Sequence, residues 1–239
     1  MKKLVYLFSL ILIAQTSVAQ TLSTRDMIME SCDYHDFNSS IFDQPLEFKI
    51  EETRPGAKSR FCTLRFDPSK EYYHIRSERD GHLLEYIIDR SVVSFKLDGS
   101  SSISMEDLEK YNLNKDRALL LKDYYYYLWY LPMKLNDPGT YIHPEHNIKK
   151  IGDASYIDIK VSYPEQEGSD EWHIYLDPDN YCMKAYQFFK PDGVKGEYIL
   201  LEGEVSFEGF HIPSKRSWYI NETDKFLGAD ILKSIGPFK

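Results

Sequence analysis

Alternating apolar and polar positions predict two groups of β-strands in this chain, at residues 46–97 and 152–220. In the first group, Leu46, Phe48 and Ile50 alternate with charged neighbours, as expected for strands with one buried face. Pairs of the Asp-Gly and Asp-Pro type lie between the runs and are typical of turns. The pattern therefore predicts antiparallel strands joined mainly to their neighbours.

Helical signals precede and separate these two groups. Residues 24–37 are predicted to form a helix, because Ser23 or Thr24 can cap it and apolar residues follow at spacings of three and four. Ser104 with Asp107 predicts the start of a short second helix. Sheet, helical insert and sheet together predict one α+β domain.

A third, longer helix is predicted from about Lys115 to Leu131, ended by Pro132. Its second half, residues 124–130, has the sequence YYYYLWY and is aromatic or apolar on every side. A helix of this kind is expected to be enclosed by other elements. It either fills the core or forms the wall of a cavity for apolar ligands.

The N-terminal residues have the pattern of a signal peptide. Lys2 and Lys3 precede a short apolar run, and Ser17-Val18-Ala19 supplies the small residues of a cleavage site. We expect residues 1–19 to be removed and residues 20–239 to form a single exported domain, periplasmic or secreted. This apolar run is short for a bilayer span, no other run of its kind follows in the sequence, and no cysteine follows the cleavage point directly. A soluble protein without a lipid anchor is therefore predicted.

Composition narrows the range of partners. The net charge is −9 and becomes more negative when Lys2 and Lys3 are removed. An acidic surface repels phosphate backbones, so nucleic acid is not an expected partner. The chain has 19 tyrosines, which together with Phe, Val and Ile favour β structure.

Three cysteines, Cys32, Cys62 and Cys182, leave two interpretations open. Cys32 and Cys62 can form a disulfide in an exported protein. Alternatively, and in our preferred interpretation, all three are buried thiols that act as small apolar side chains. Their spacing fits neither a zinc site nor a Cys-x-x-Cys redox pair.

Other candidate sites have weak sequence support. His143-Pro144-Glu145-His146 contains metal-ligand types, but Pro144 prevents a regular helix and no third ligand stands out, so a solvated loop is expected. Cys32 and His35 share a helix face and resemble a thiolate–imidazole pair, although no oxyanion motif accompanies them. We predict no metal and no cofactor.

Several segments resemble a known family. They are Tyr34-His35-Asp36, residues 126–138 (YYLWYLPMKLNDP), residues 172–178 (WHIYLDP), residues 209–213 (GFHIP) and residues 226–232 (FLGADIL). Together they resemble exported bacterial proteins of unknown function, found mainly in Bacteroidetes. Residues 155–220 are also similar to periplasmic lipoprotein carriers of the LolA and LolB type.

The carrier resemblance implies a LolA-like fold, in which one curved antiparallel β-sheet (a half-barrel) encloses two or three helices around a hydrophobic cavity. In that family an arginine in the sheet is associated with closing the cavity. The sequence does not indicate which residue here would be its equivalent.

We predict a non-enzymatic periplasmic carrier or binder of a hydrophobic ligand, such as a lipid or an acyl group. The expected ligand-binding residues are Tyr126, Trp129, Tyr130 and Trp172, and no catalytic residue is predicted. Two alternatives remain: a module that binds another envelope protein without a ligand, and a hydrolase acting on an envelope polymer through a pair such as His35 with Asp36 or Cys32.

Overall fold

A computed structural model describes residues 22–165 and 168–238. The predicted signal peptide, residues 1–19, lies outside these ranges. The helices of the described chain are α1 (Thr24–His35), α2 (Met105–Lys110) and α3 (Lys115–Trp129). A 3₁₀ turn, Met133–Asn136, follows α3.

The strands that the structure describes are as follows, in chain order: β1 (Leu46–Thr53), β2 (Arg60–Asp67), β3 (Tyr72–Arg79), β4 (His82–Asp89), β5 (Val92–Leu97), β6 (Tyr141–Ile151), β7 (Ala154–Ser162), β8 (Glu171–Leu176), β9 (Met183–Phe189), β10 (Gly196–Glu202), β11 (Val205–Phe207), β12 (Phe210–Ile212), β13 (Lys215–Ile220) and β14 (Phe226–Pro237).

Twelve of these strands form one curved, open sheet in the order β5-β4-β3-β2-β1-β14-β13-β10-β9-β8-β7-β6. Every neighbouring pair is antiparallel, and β11 with β12 forms a small separate hairpin. The predicted α+β fold with a curved antiparallel sheet is confirmed. Hairpin and meander connections account for it, because most strands pair with their neighbours in the chain.

Strand β14 joins the two halves of the sheet. It lies between β1 and β13, and the Thr53 hydroxyl donates a 3.1 Å hydrogen bond to the Ala229 carbonyl oxygen, 176 residues away in the chain. Gly228 of β14 has a φ of +148°, and a Cβ at this position would collide with the Thr53 carbonyl oxygen. Glycine is therefore required where the two halves meet.

The helix signals of the sequence are largely confirmed. Ser23 and Asp26 form a capping box at the start of α1, and the Ser104 side chain caps α2. Helix α3 begins after the cap Asn114 and ends at Trp129, two residues before the predicted end. Helices α1 and α3 contribute buried side chains to the core, whereas α2 contributes none.

Two strands, β6 and β14, lie outside the residue ranges for which the sequence predicts strands. Residues 143–146, expected to form a solvated loop, lie in β6 at the edge of the sheet. The pairing of β6 with β7 shifts between Ile142 and His146, which accommodates Pro144. Proline is tolerated at sheet edges and bulges because its missing N–H is not needed there. Most of β6 is exposed on both faces, so alternation could not reveal it.

Candidate ligand-binding cavity

Helix α3 presents different side chains to the core and to a cavity. Tyr125, Leu128 and Trp129 are buried, whereas Tyr126 and Tyr127 are only partly buried. Tyr124 is 41% exposed. The expectation that this segment is enclosed on every side is thus correct for its core side and wrong for Tyr124.

The cavity between α3 and the second half of the sheet has a volume of about 1110 Å³. This exceeds the roughly 300–1,000 Å³ typical of small-molecule sites. Its mouth lies near Leu120 and Tyr124, which line it and are exposed to solvent. The aromatic residues that line the cavity are Tyr124, Tyr126, Tyr127, Tyr163, Trp172, Tyr186, Phe188 and Trp218.

Cross-strand registry explains how the sheet forms this wall. Trp172 of β8 pairs with Phe188 of β9, which pairs with Glu197 of β10. The neighbouring row on the same face is Ile174, Tyr186 and Ile199, all fully buried. Because side chains two residues apart share a face of a strand, the first row borders the cavity and the second forms its floor.

The four residues predicted to bind a ligand fall into two groups. Tyr126 and Trp172 line the cavity, where the Trp172 ring lies 5.1 Å from the Phe188 ring and 5.8 Å from the Tyr127 ring. Trp129 and Tyr130 are outside the cavity lining. They are 2% and 0% exposed and pack in the core against Phe48.

A row of charged residues crosses the sheet below α3. Arg60, Glu52, Asp230 and Arg216 are paired in succession on β2, β1, β14 and β13. Glu52 bonds Arg60 and accepts a 2.6 Å hydrogen bond from the Tyr125 hydroxyl. Two carboxylates directly opposite each other repel. The charges of the row nevertheless sum to zero, because one arginine lies at each end.

Asp230 is the carboxylate at the centre of this row. It accepts hydrogen bonds from the Trp218 indole at 2.9 Å and from Arg54 at 3.3 Å. Burial raises the pKa of Asp230, and the charge of Glu52 raises it further. These donors compensate for the loss of water around the carboxylate.

Arg216 links the sheet to α3. Its guanidinium lies 3.7 Å from the centre of the Trp129 ring and donates a 3.4 Å hydrogen bond to the Leu128 carbonyl oxygen. The residue is 1% exposed, and its Nε has no hydrogen-bond partner among the described residues. Arg216 is thus a buried arginine of the sheet that contacts α3, and the sequence analysis did not single it out. The sequence could have indicated this position, because Arg216 and Trp218 are two residues apart on β13 and therefore lie on the same face of the sheet.

A second, smaller cavity of about 220 Å³ lies beside His35. The His35 ring donates from Nδ1 to the His211 carbonyl oxygen at 2.5 Å and accepts at Nε2 from the Met183 N–H at 3.1 Å. Burial lowers the pKa of His35 to about 4. Both ring nitrogens are used by the neutral imidazole, so His35 serves as a structural bridge.

The thiolate–imidazole pair considered from the sequence does not form. The Cys32 sulfur accepts a hydrogen bond from Asn136 at 3.3 Å, whereas the His35 ring lies 3.8 Å from the Cys182 sulfur. Burial raises the pKa of Cys32 to about 12, so this thiol stays protonated at neutral pH. The three cysteines are free and buried, in agreement with the second interpretation of their spacing.

The His143–His146 segment brings no metal ligands together. His143 makes a 3.2 Å contact with the Ser162 hydroxyl. Within residues 22–165 and 168–238, no group of three or more His, Cys, Asp or Glu side chains has an arrangement that could hold a metal ion.

Comparison with known protein families identifies the family to which the chain belongs. A family model matches residues 2–233. The chain belongs to DUF6503, a family of unknown function. No curated protein matches this DUF6503 sequence.

Several solved structures have a fold similar to that of this DUF6503 chain. It resembles a LolA superfamily protein from Nitrosomonas europaea with a TM-score of 0.53 and 9% identity, covering 92% of this chain and 95% of that one. A domain assigned to outer membrane lipoprotein sorting, from Vibrio parahaemolyticus, gives a TM-score of 0.53 at 10% identity, with 90% and 92% covered. A DUF1329 protein from Desulfovibrio piger gives 0.50 at 8% identity, also with 90% and 92% covered. At these identities the likeness shows the fold alone.

None of the helices in the described ranges has the length and apolar character needed to cross a bilayer.

Proposed function

We propose that this protein is a non-enzymatic carrier or binder of a hydrophobic ligand, such as a lipid or an acyl group, in the periplasm. The observation that carries the proposal is the cavity of about 1110 Å³ with aromatic walls between α3 and the sheet. The LolA-like fold supports it. Export and a Bacteroidetes origin remain predictions from the sequence.

The binding mechanism is burial of apolar surface. Each CH₂ group of an acyl chain moved from water into the cavity contributes about 0.8 kcal/mol. Tyr126 and Trp172 contact the ligand directly. Trp129 and Tyr130 act from the core by holding α3 in position.

We propose that loading and release involve movement of α3 relative to the sheet. Two contacts restrain this movement: Arg216 with Leu128 and Trp129, and Tyr125 with Glu52. Both contacts connect α3 to the charged row, and polar contacts of this kind can break and form again without unfolding the core. A bound ligand shifts the equilibrium toward whichever helix position enlarges the cavity.

Native mass spectrometry of protein purified from its own cell envelope without detergent tests the proposal. We expect a homogeneous added mass that is lost on organic extraction. The proposal is contradicted if the protein has its apo mass and takes up neither fatty acid nor phospholipid when these are added.

Substitution of the cavity wall tests the location of binding. Trp172→Ala removes a large aromatic surface from the wall, so we expect it to weaken binding of a fluorescent long-chain fatty acid by roughly tenfold. Phe37→Ala is the control, because Phe37 is 78% exposed and does not line the cavity. Equal losses in both variants, measured by fluorescence titration, would place binding elsewhere.

A second candidate function is binding of another envelope protein at β6. Among the described residues no strand pairs with the outer edge of β6, where Thr24 of α1 donates a hydrogen bond to the His143 carbonyl oxygen. The Tyr141 and Ile148 side chains of β6 are 56% and 64% exposed. Such an edge can accept a strand from a partner. A photo-crosslinker at Ile148 that captures one envelope protein in cells, together with an apo mass, would favour this function over a carrier.

A further inference from the structure

The charged residues at the cavity wall are neutralised in pairs, with one exception. Ion pairs use the three cations of the wall and three of its four carboxylates. The pairs are Arg54 with Asp230 at 3.3 Å, Lys190 with Asp170 at 2.8 Å, Lys122 with Asp123 at 2.9 Å, and Lys134 with Asp137. Glu197 also lines the cavity. Its side chain makes no hydrogen bond or ion pair within the part of the chain that the structure describes. Glu197 is therefore the carboxylate of the described cavity wall that has no ion-pair partner.

Glu197 faces the inside of the sheet. It lies in phase with the fully buried Ile199 on β10, and Phe188 is its partner on β9. Burial raises the pKa of Glu197, although the charges of Lys190 and Arg54 lower it. A half-buried carboxylate without a donor has lost water without gaining a protein partner.

Tyr186 supplies a second unpaired polar group in the same cavity. The residue is fully buried, it lines the cavity, and its hydroxyl has no hydrogen-bond partner among the described residues. Tyr186 pairs with Ile199, so Glu197 is its diagonal neighbour on the same face of the sheet. Buried hydroxyls normally have a partner. The Tyr186 hydroxyl and the Glu197 carboxylate therefore belong to side chains on the same face of the sheet, beside the same cavity.

The surrounding rings favour a positive ligand group over a negative one. The ammonium of Lys134 lies 4.5 Å from the centre of the Tyr126 ring, and that of Lys190 lies 5.1 Å from the Phe188 ring. These contacts show that the aromatic faces at this cavity accept cations. A carboxylate or phosphate would instead be repelled by Glu197, and the three cations that line the cavity already have carboxylate partners.

We propose that the cavity binds amphiphiles with a primary ammonium head, the ammonium contacting Glu197 and the Tyr186 hydroxyl while the alkyl chain contacts the aromatic wall. This inference rests on the proposed function and specifies the chemical class of its ligand. The ammonium supplies the donor that Glu197 lacks, and the Tyr186 oxygen offers lone pairs to its N–H groups.

Isothermal titration calorimetry with dodecylamine, dodecanol and dodecanoate at neutral pH tests the inference, with each probe kept below its micelle concentration. We expect wild-type protein to bind dodecylamine roughly tenfold more tightly than dodecanol, and dodecanoate least tightly. Glu197→Gln keeps the shape of the side chain and is expected to abolish the preference for the amine without changing the affinity for dodecanol. Tyr186→Phe is expected to reduce the preference by a few-fold.

Asp123→Asn is the matched control. Asp123 lines the same cavity and the substitution removes the same charge, but Lys122 already neutralises this carboxylate. The preference for the amine is expected to persist in this variant. Its loss there would show that net charge alone attracts the amine and would overturn the inference.

The remaining outcomes separate the inference from the proposed function. Equal affinity for the three probes in wild-type protein overturns the ammonium site and leaves a hydrophobic carrier. A preference that survives Glu197→Gln also overturns the ammonium site. Absence of binding by all three probes contradicts the carrier function itself.

Discussion

A buried histidine couples the stability of this protein to pH at the scale of a single residue. His35 is 2% exposed, and its neutral ring joins α1 to the backbone of His211 and Met183. A proton on Nε2 would remove the acceptor for the Met183 N–H and place a charge in a buried site. Burial accordingly lowers the pKa of His35 to about 4.

Acid is therefore expected to destabilise the fold through His35. In the unfolded chain a histidine takes up its proton near pH 6.5, so between about pH 6.5 and 4 the unfolded state binds more protons. Above this pH window the contribution of His35 to the free energy of unfolding is complete. As the pH falls through the window, this contribution decreases by about 3 kcal/mol in total. Urea denaturation at pH 7 and pH 5 should show a flatter pH dependence in His35→Gln than in wild type.

The control for this prediction is His146→Gln, since His146 is exposed on the edge strand β6. It should retain the wild-type difference between the two pH values. An unchanged pH dependence in His35→Gln would show that carboxylates account for the acid sensitivity.

At the scale of elements, α3 separates structural from ligand-contacting aromatic residues. Trp129 is 2% exposed and packs between Phe48 and Arg216. We expect Trp129→Ala to lower the free energy of unfolding by about 3–5 kcal/mol, because it leaves a core cavity and exposes the buried guanidinium of Arg216. Trp172→Ala, at the cavity wall, should cost less than about 2 kcal/mol.

Chemical denaturation of the two tryptophan variants tests this division. Comparable stability losses would contradict the separation of core and wall. Ligand titration should be done only where each variant is fully folded, since weaker binding by Trp129→Ala otherwise reports unfolding.

The sequence could identify α3 but could not orient it. Residues 124–130 are aromatic or apolar at every position, so periodicity gives no indication of which side faces a cavity. This is why Tyr126 and Trp129 were grouped together, although one lines the cavity and the other lies in the core. The strands of the first half were predictable because Leu46, Phe48 and Ile50 alternate with charged residues.

Glu197 could have been identified from the same alternation. It is in phase with Ile199 and Leu201 on β10, so a charge at this position points toward the helix. A carboxylate in a strand is by default expected to face solvent. Which carboxylates have partners depends on contacts between residues distant in the chain, as for Arg54 with Asp230, and these contacts follow only from the folded structure.

At the scale of the whole molecule, the junction between the halves of the sheet depends on Gly228. We expect Gly228→Ala to destabilise the protein by more than about 2 kcal/mol, because the backbone has φ of +148° and the Thr53 carbonyl oxygen occupies the space of a Cβ. Gly236→Ala, also in β14, is the control, since nothing lies within 4 Å of a Cβ at Gly236. Thermal unfolding that gives equal melting temperatures for both variants would contradict this requirement.

The position of β14 also dictates an order of assembly. Strands β1–β5 and β6–β10 can pair with neighbours in the chain as soon as each hairpin is made. We expect the junction to form last, because β1 and β13 are joined in the sheet through β14, which follows both in the chain. Until then each half exposes a long unpaired edge to which strands of other unfinished chains can add. The yield of folded protein is thus a competition between insertion of one strand within the chain and encounters between chains, and it should fall as the concentration of refolding chains rises.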